Sequence, residues 1–379
     1  KNQLGRDSMD NMTIYRKAIE KVHDKLIKNG TKFDSVSSYI YADGGAYSIS
    51  DGTNWTDSFY VGMLWLDQCR TKNAAIYHNI EMQMWEFEQR LKQNRGLDNH
   101  DIGFLYTLSA VAGYKATGDE KYAAMAEKAA RLLAKRYHPG AKFIQAWGNP
   151  NGRDNYRLII DCMLNIPLIY WCAEKTGDRE LFEIAYNHAV TTNKVIFRND
   201  SSAYHTYYFD YDTGKPLCGK THQGAGDDTA WSRGQAWAIY GFAISYTYTK
   251  NEAFLKSAEK AADYFIEHLP KDMVAFWDLC FNDGDNEPRD SSAAAIAACG
   301  LLELAGASGN SYYRETAERI VTSLCENYMS PDESEALLDH AAYTVPGNEG
   351  VDEACIWGDY YFAEALSRLC DGKNFVRFW

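Results

Sequence analysis

The chain has 379 residues, 46% of them hydrophobic, which is enough to bury a large core. Its formal net charge of −13 differs from the basic balance of proteins that bind nucleic acid or anionic membranes, so we expect neither as a partner. The nine cysteines have no C-x-x-C spacing, and we interpret them as buried free thiols rather than a disulfide framework or zinc site.

The first kind of predicted element is an amphipathic helix that recurs along the chain. Each has an apolar stripe at helical spacing and a charged opposite face, as in an outer, half-solvated layer. All but the first follow a short turn whose Asp, Asn or Ser can cap the new helix. In chain order, these helices are expected within residues 9–27, 71–87, 117–133, 176–190, 249–265 and 307–324.

The second kind of element alternates with the first and is apolar nearly all round. Such helices are expected to be buried on every side. Several carry ionisable groups and aromatic residues at their N-terminal ends, and long loops rich in Trp, His, Gly and Asp precede four of them. In chain order, they are expected within residues 56–70, 101–116, 157–175, 230–248, 290–306 and 354–370.

Alternating outer and inner helices predict a closed α/α toroid, an (α/α)6 barrel formed by residues 1–379 as a single domain. An open solenoid of helical hairpins is the alternative. Closure is favoured because the polar and aromatic N-terminal ends of the inner helices suit a pocket at a barrel mouth. Function is expected in the longer loops at that mouth.

Two aspartates are the candidate acid–base groups. Asp101 precedes the apolar run "IGFLY", so it could cap a helix, ligate a metal with His100, or act as an acid. Asp161 lies among apolar residues in "RLIIDCMLNIPLIYW", where a carboxylate needs either a buried partner or a cavity. Two carboxyl groups at the same level of successive inner helices would face each other across the barrel mouth. Such a pair of acids is typical of glycosidases.

Three histidines in the mouth loops, His100, His205 and His222, are suited to hydrogen-bond a polar ligand. Their spacing matches no metal motif, so no metal site is predicted. Residues 282–287, "NDGDNE", miss the EF-hand spacing and are interpreted as a solvated turn.

The densest polar and aromatic cluster is "HQGAGDDTAWSRGQAW", residues 222–237. Gln223 can donate from its amide, and Arg233 shares a helix face with Trp237. Arg233 is either a clamp for a ligand carboxylate or the partner of a structural acid. The candidate partners are Asp227, Asp228 and Asp359, and the aromatic side chains that could stack on sugars are Trp55, Trp147, Trp237 and Trp357.

Taken together, these segments resemble those of the unsaturated glucuronyl hydrolases of glycoside hydrolase family 88 over nearly the whole chain. The resemblance rests on "NWTDSFYVGMLW", "NHDIGF", "QAWGNPNGRDNYRLIIDCMLNIPLIYW", "THQGAGDDTAWSRGQAWAIYGF", "PRDSSAAAIAACGLLEL" and "DEACIWGDYYFAEAL". It implies removal of a 4,5-unsaturated uronic acid from the non-reducing end of glycosaminoglycan-type oligosaccharides left by polysaccharide lyases.

The resemblance also implies roles for individual residues. Asp161 is expected to be the general acid and base, and Asp101 a second carboxylate that stays ionised. Trp55 and Trp147 are expected to be subsite walls. The remaining expected substrate-binding residues are His100, His205, His222, Gln223, Arg233 and Trp237.

One segment departs from the pattern of relatives that accept sulfated fragments, which carry Ser and Lys just before "GVDE". Here the segment reads "TVPGNEG", and Glu349 should repel a sulfate group. We therefore expect a preference for unsulfated or differently sulfated fragments.

The resemblance implies no cofactor and a bacterial enzyme of the cytoplasm or periplasm, as a monomer or weak homo-oligomer. The chain begins with Lys1, so a signal peptide can be neither recognised nor excluded. The alternatives are an unsaturated rhamnogalacturonyl hydrolase acting on pectin fragments, a sugar epimerase using His205 and His222, a non-catalytic scaffold, and an inverting cellulase-type barrel. An assay for isomerised free sugar separates the epimerase from the hydrolase.

Overall fold

The computed structural model describes the backbone of residues 2–379 and the side chains of residues 11–379. Each predicted outer segment contains an α-helix, which confirms the outer layer. The outer helices are α1 (Asn2–Asn29), α3 (Ala74–Gln93), α6 (Glu120–Ala134), α8 (Arg179–Val195), α10 (Glu252–Glu267) and α12 (Ser311–Ser323).

The inner helices alternate with the outer ones along the chain. The second of them contains a π-helical turn, Thr107–Val111, between two α-helical pieces. In order, the inner helices are α2 (Asp57–Thr71), α4 (Ile102–Tyr106) with α5 (Ala112–Thr117), α7 (Pro167–Thr176), α9 (Ser232–Thr249), α11 (Ser291–Ser308) and α13 (Ile356–Asp371).

The inner helices close into a ring. Each packs against its predecessor in the chain, and α13 returns to pack against α2. The predicted (α/α)6 barrel is therefore confirmed, and the open solenoid is wrong. The all-round apolar surface of the inner helices is explained by this position, since each contacts both inner neighbours and an outer helix.

Side-chain caps begin the outer helices that follow the short turns, as predicted. The Asn73 side chain accepts hydrogen bonds from the backbone N–H groups of Ala75 and Ile76 at the start of α3. Asp119, Asp178, Asn251 and Asn310 make equivalent contacts at the starts of α6, α8, α10 and α12. Each cap satisfies helix N–H groups that have no partner within the helix.

The third inner segment differs from the prediction in its first half. Residues 157–166 form a short strand and a 3₁₀ turn, Ile160–Leu164, and α7 begins only at Pro167. Proline lacks a backbone N–H and disfavours helix in the residue before it, so a helix start at this position is expected. Asp161 therefore lies in a turn before the helix, not within it.

Short antiparallel strands build the loops at the mouth. Three pairs are hairpins: β1 (Ser38–Asp43) with β2 (Ala46–Ile49), β3 (Tyr137–His138) with β4 (Phe143–Ile144), and β8 (Ala341–Thr344) with β9 (Glu349–Glu353). A three-stranded sheet contains β5 (Arg157–Ile159), β6 (Thr206–Phe209) and β7 (Pro216–Lys220). These strands place the loop side chains at fixed positions over the barrel axis.

The cysteines, which all lie in the described part of the chain, are free thiols as predicted. The expectation that they are buried is wrong for Cys218 and Cys280, which are exposed. Cys218 lies on β7, whose residues mostly face solvent. One described helix, α11, is long and apolar enough to span a membrane, but it is an inner helix of the barrel and is mostly buried.

Candidate active site

A cavity of about 290 Å³ opens where the inner helices begin. The N-terminal ends of helices carry partial positive charge from their backbone dipoles, so this end of the barrel favours an anionic ligand. Every predicted site residue except Trp237 lines the cavity: Trp55, His100, Asp101, Trp147, Asp161, His205, His222, Gln223 and Arg233.

Asp101 occupies the position before α4, but its side chain makes no capping hydrogen bond. The capping interpretation is therefore wrong. The carboxyl group instead faces Asn165, whose Nδ2 lies 3.5 Å from Asp101 Oδ1 and 3.3 Å from the backbone carbonyl of Asp161. The Asn165 Oδ1 accepts the Phe104 backbone N–H at 2.7 Å, so one buried amide connects the two acid-bearing segments.

The close approach of these two segments depends on a glycine. A Cβ atom at Gly103 would lie 2.2 Å from the Asn165 Cα atom, closer than non-bonded atoms approach. Gly103 thus lets the start of α4 pack directly against the turn after Asp161. The result is that both carboxyl groups share one wall of the cavity.

Burial changes the proton affinity of both acids. Burial, together with the negative charge of Asp161, raises the pKa of Asp101 to about 8. Burial likewise raises the pKa of Asp161 to about 7, although the Arg233 guanidinium acts in the opposite direction. The expected rise for Asp161 is present. The raised pKa of Asp101 opposes the ionised form expected for it, and its role stays a prediction.

Asp161 is the acid with a free oxygen. Its side chain is partly accessible from the cavity, and its Oδ1 atom has no hydrogen-bond partner within the described part of the protein. A buried carboxyl oxygen without a partner is costly, so such groups usually serve a ligand or bind water. Asp161 can therefore exchange a proton with a molecule in the cavity.

Burial lowers the pKa of each cavity histidine, which favours the neutral form. Burial lowers the pKa of His205 well below its ordinary value, and His222 adds to this effect. The Nδ1 atom of His205 accepts the backbone N–H of His222 at 3.1 Å, so Nε2 carries the proton and can donate. Burial also lowers the pKa of His100, whose Nε2 lies 3.4 Å from Asp101 Oδ1.

Arg233 is paired with an acid, but not with Asp227, Asp228 or Asp359. Its Nη1 atom donates to Asp290 Oδ2 at 2.8 Å, and both side chains are buried. The same guanidinium donates to the backbone carbonyls of β8 residues Ala342 and Tyr343. The Asp290 pairing joins residues far apart in the chain and could not be predicted from spacing.

Two of the predicted stacking residues are packed in the barrel interior. Trp237 is fully buried and does not line the cavity, because its ring packs against Phe104 and Tyr361 at centroid distances of 5.4 Å. Trp357 is also fully buried. Trp147 is 39% exposed at the rim, and Trp55 packs against Trp357 at 5.3 Å, so both remain suited to be walls.

Gln223 contacts the β8–β9 hairpin. Its Nε2 atom donates to the Tyr343 backbone carbonyl at 2.8 Å. Tyr343 itself lines the cavity but was not predicted. The other cavity residues that the sequence reasoning missed are Arg157, Ile159, Trp231 and Thr344.

The sequence contains a signal that could have identified two of the missed residues, Arg157 and Ile159. Side chains alternate across a strand, so Arg157 and Ile159 share the face that leads to Asp161. Recognising β5 instead of a helix would have placed both in the cavity. Tyr343 and Thr344 lie on β8, which the turn dipeptide Pro346-Gly347 separates from β9, but no local pattern places this hairpin beside the cavity.

No group of three or more His, Cys, Asp or Glu side chains suited to a metal is found in the part of the chain that the structure describes. Residues 282–287 form a largely exposed turn in which the Asp285 carboxylate accepts the Asn282 backbone N–H at 2.7 Å. The interpretation of this segment as a solvated turn is confirmed.

Comparison with known proteins gives consistent results. The profile of Glycosyl Hydrolase Family 88 matches residues 19–369. The chain is 38% identical to the unsaturated chondroitin disaccharide hydrolase of Streptococcus pneumoniae, over 96% of this chain and 93% of that protein.

Solved structures of related proteins have the same fold over nearly the whole chain. The unsaturated glucuronyl hydrolase of Streptococcus agalactiae superimposes with a TM-score of 0.94 at 38% identity, covering 97% of this chain and 94% of that one. The Bacillus sp. GL1 unsaturated glucuronyl hydrolase, described as responsible for glycosaminoglycan degradation, has a TM-score of 0.93 at 38% identity and covers 96% and 98%. The chain therefore belongs to glycosyl hydrolase family 88, and it is a glycoside hydrolase.

Proposed function

We propose that this hydrolase removes a 4,5-unsaturated uronic acid from the non-reducing end of glycosaminoglycan-type oligosaccharides. The observation that carries the proposal is the partly accessible Asp161 carboxyl group, with a raised pKa and an unpartnered Oδ1, in a cavity lined by histidine, arginine and tryptophan. The names of the pneumococcal and Bacillus relatives support the same substrate class.

The chemistry follows from the substrate. An unsaturated uronate is an enol ether, so its C4 atom is nucleophilic and accepts a proton from Asp161. Positive charge then develops at C5 and the ring oxygen, and water adds at C5 while the Asp161 carboxylate takes its proton. The resulting hemiketal opens to a ketone, and the hemiacetal left at C1 releases the second sugar. One group thus serves first as acid and then as base.

Asp101 supports this reaction in a form that depends on pH. Its raised pKa favours the protonated form, which can donate a hydrogen bond to a substrate oxygen. If the proton leaves when substrate binds, the carboxylate stabilises the positive charge at C5. His205, with its proton on Nε2, and Gln223 are proposed to bind the uronate, with Trp55 and Trp147 as walls.

We further propose that residues 1–379 act as one catalytic domain without a cofactor or a bound metal. A monomer or weak homo-oligomer is proposed, with no nucleic-acid or membrane partner. Analytical ultracentrifugation at several protein concentrations tests the assembly state. A concentration-independent tight oligomer would contradict it.

The substrate assignment is tested by following the ultraviolet absorbance of the unsaturated uronate. The panel consists of lyase-generated disaccharides from hyaluronan, chondroitin, heparin and pectin. We expect the absorbance to disappear with glycosaminoglycan fragments, because hydration at C5 removes the double bond. Turnover of the pectin fragment alone would favour the rhamnogalacturonyl alternative, and no loss on any substrate would overturn the proposal.

The pH dependence of kcat/KM is expected to have an alkaline limb near pH 7. The acid must hold its proton before the first step, and the pKa of Asp161 in the free protein is about 7. Activity should therefore fall by roughly tenfold per pH unit above this value. Initial rates at about pH 5–9 measure the limb, and circular dichroism at each pH checks folding. A flat or rising profile above pH 7 would contradict the assignment.

Glu349 is expected to disfavour sulfated substrates. It is exposed at the start of β9 and pairs across the hairpin with Thr344, which lines the cavity. Unsulfated chondroitin disaccharide should be cleaved faster than a sulfated one. Glu349→Gln should reduce the ratio of the two cleavage rates a few-fold. Glu180→Gln, at the start of an outer helix on the opposite end of the barrel, is the control. Faster cleavage of the sulfated disaccharide by the unmodified enzyme would contradict the electrostatic argument.

A further inference from the structure

The side chain of Arg157 is a buried cation in the cavity that no role described so far uses. It lies at the start of β5, is only 9% exposed, and contributes to the cavity lining. Its Nη1 atom donates to the Tyr208 hydroxyl at 3.0 Å and contacts His222 Nε2. Its Nε atom is buried without a hydrogen-bond partner in the described part of the protein.

The surroundings of Arg157 differ from those of the other buried arginines. Arg233 is paired with Asp290 at 2.8 Å, and Arg90 with Asp57 at 2.7 Å. Arg136 has no such acid, but it donates to the backbone carbonyls of Asp98, Gln145 and Gly148.

Among the described residues, the Arg157 guanidinium has a phenol and an imidazole as its only hydrogen-bond partners. No carboxylate of the described residues forms an ion pair with it. Burying an uncompensated guanidinium is expensive. Because this one faces a cavity, a ligand is placed to supply the missing negative charge.

This cation and the proposed catalytic acid line the same cavity from one short segment of the chain. Arg157 and Ile159 alternate along one face of β5, Asp161 lies in the 3₁₀ turn that follows, and all three line the cavity. Arg157 and Asp161 are four residues apart in the chain, so their backbone positions are separated by roughly 13 Å at most. The guanidinium is thus within the span of a disaccharide whose first sugar contacts Asp161.

We infer that Arg157 determines specificity by binding an anionic oxygen group of the substrate through its free N–H groups. The inference rests on the proposed function. The group can come from two sources, the carboxylate of the unsaturated uronate or a sulfate ester on the sugar that follows. The carboxylate is planar and the sulfate is tetrahedral, and a guanidinium binds either oxyanion with charge-assisted hydrogen bonds.

The test compares Arg157→Met with Arg153→Met. Arg153 is a nearby arginine at the protein surface that pairs with Asp212 and does not line the cavity, so its replacement removes the same charge outside the site. kcat and KM are measured separately on unsulfated, 4-sulfated and 6-sulfated unsaturated chondroitin disaccharides. Binding of each is also measured by calorimetry in the Asp161→Asn background. If Arg157→Met does not fold, Arg157→Gln takes its place.

Arg157→Met is expected to weaken binding and to lower kcat/KM by about 10- to 150-fold, the effect of losing a hydrogen bond to a charged group. An equal loss on all three substrates identifies the uronate carboxylate as the group. A loss confined to one or both sulfated substrates identifies a sulfate ester. Arg157→Lys should recover part of the loss, since it restores the charge.

The inference is overturned if kcat/KM of Arg157→Met stays within about twofold of the unmodified enzyme on every substrate, or if it equals that of Arg153→Met. A fall in kcat with unchanged binding also overturns it, because that pattern places the effect on the chemical step instead of on substrate binding. These outcomes leave the proposed function intact, which depends on turnover by the unmodified enzyme. Failure of the unmodified enzyme to cleave any disaccharide would reject the proposed function, while the calorimetric comparison still tests Arg157.

Discussion

Replacing Asp161 by Asn is expected to lower kcat/KM by about 10²- to 10⁴-fold, the usual contribution of a positioned acid–base group. The amide preserves the shape of the side chain but cannot supply the proton to C4 or remove the proton from water. The cavity should remain intact, because Asp161 Oδ1 has no partner in the described part of the protein that the substitution would disturb. The loss of ultraviolet absorbance measures the rate.

Asp227→Asn is the matched control for this prediction. Asp227 is an exposed acid of the mouth region that pairs with Lys220 at 3.0 Å and does not line the cavity. Its variant should keep nearly full activity. Calorimetry should show that Asp161→Asn still binds the disaccharide. Activity of Asp161→Asn within about threefold of the unmodified enzyme would reject Asp161 as the acid.

Replacing Asp290 by Ala is expected to lower the free energy of unfolding by about 3–5 kcal/mol, the effect of leaving a buried charge without its partner. One oxygen of Asp290 pairs with Arg233, and the other accepts the N–H groups of Ser292 and Ala293 at the start of α11. Both side chains of the pair are almost fully buried. Urea unfolding followed by circular dichroism measures the change.

A double-mutant cycle separates the two roles of Asp290. Arg233→Met in the Asp290→Ala background removes the unpaired cation and should restore part of the lost stability. Asp212→Ala breaks the exposed pair with Arg153 and should change stability little. A loss below about 1 kcal/mol for Asp290→Ala, or no recovery in the double variant, would contradict the assigned ion pair.

The helical layers and much of the cavity lining could be read from the chain. Helical periodicity separated the outer from the inner helices, and the turn residues Asn73 and Asp119 do cap as predicted. These signals are local, because a helix and its cap involve residues within a few positions of each other. The cavity residues Trp55, His100 and Asp161 were identified before the structure, partly through the family resemblance.

The errors have a common cause. Trp237 shares a helix with Arg233, but the ring lies among Phe104 and Tyr361, which come from other parts of the chain. The capping interpretation of Asp101 failed because its carboxyl group faces Asn165 instead of the start of its own helix. In each case a long-range contact decided the role of the side chain.

Local sequence patterns predict the alternation of amphipathic and apolar helices, and with it the barrel. That pattern is a property of single segments, whose apolar faces must be buried whichever partner they meet. Contacts between distant segments determine which charges compensate one another. Arg233 pairs with Asp290, while Arg157 lines the cavity without an acidic partner among the described residues, and burial together with Asp161 raises the pKa of Asp101. Electrostatic interactions depend on distances between segments, which no local pattern contains.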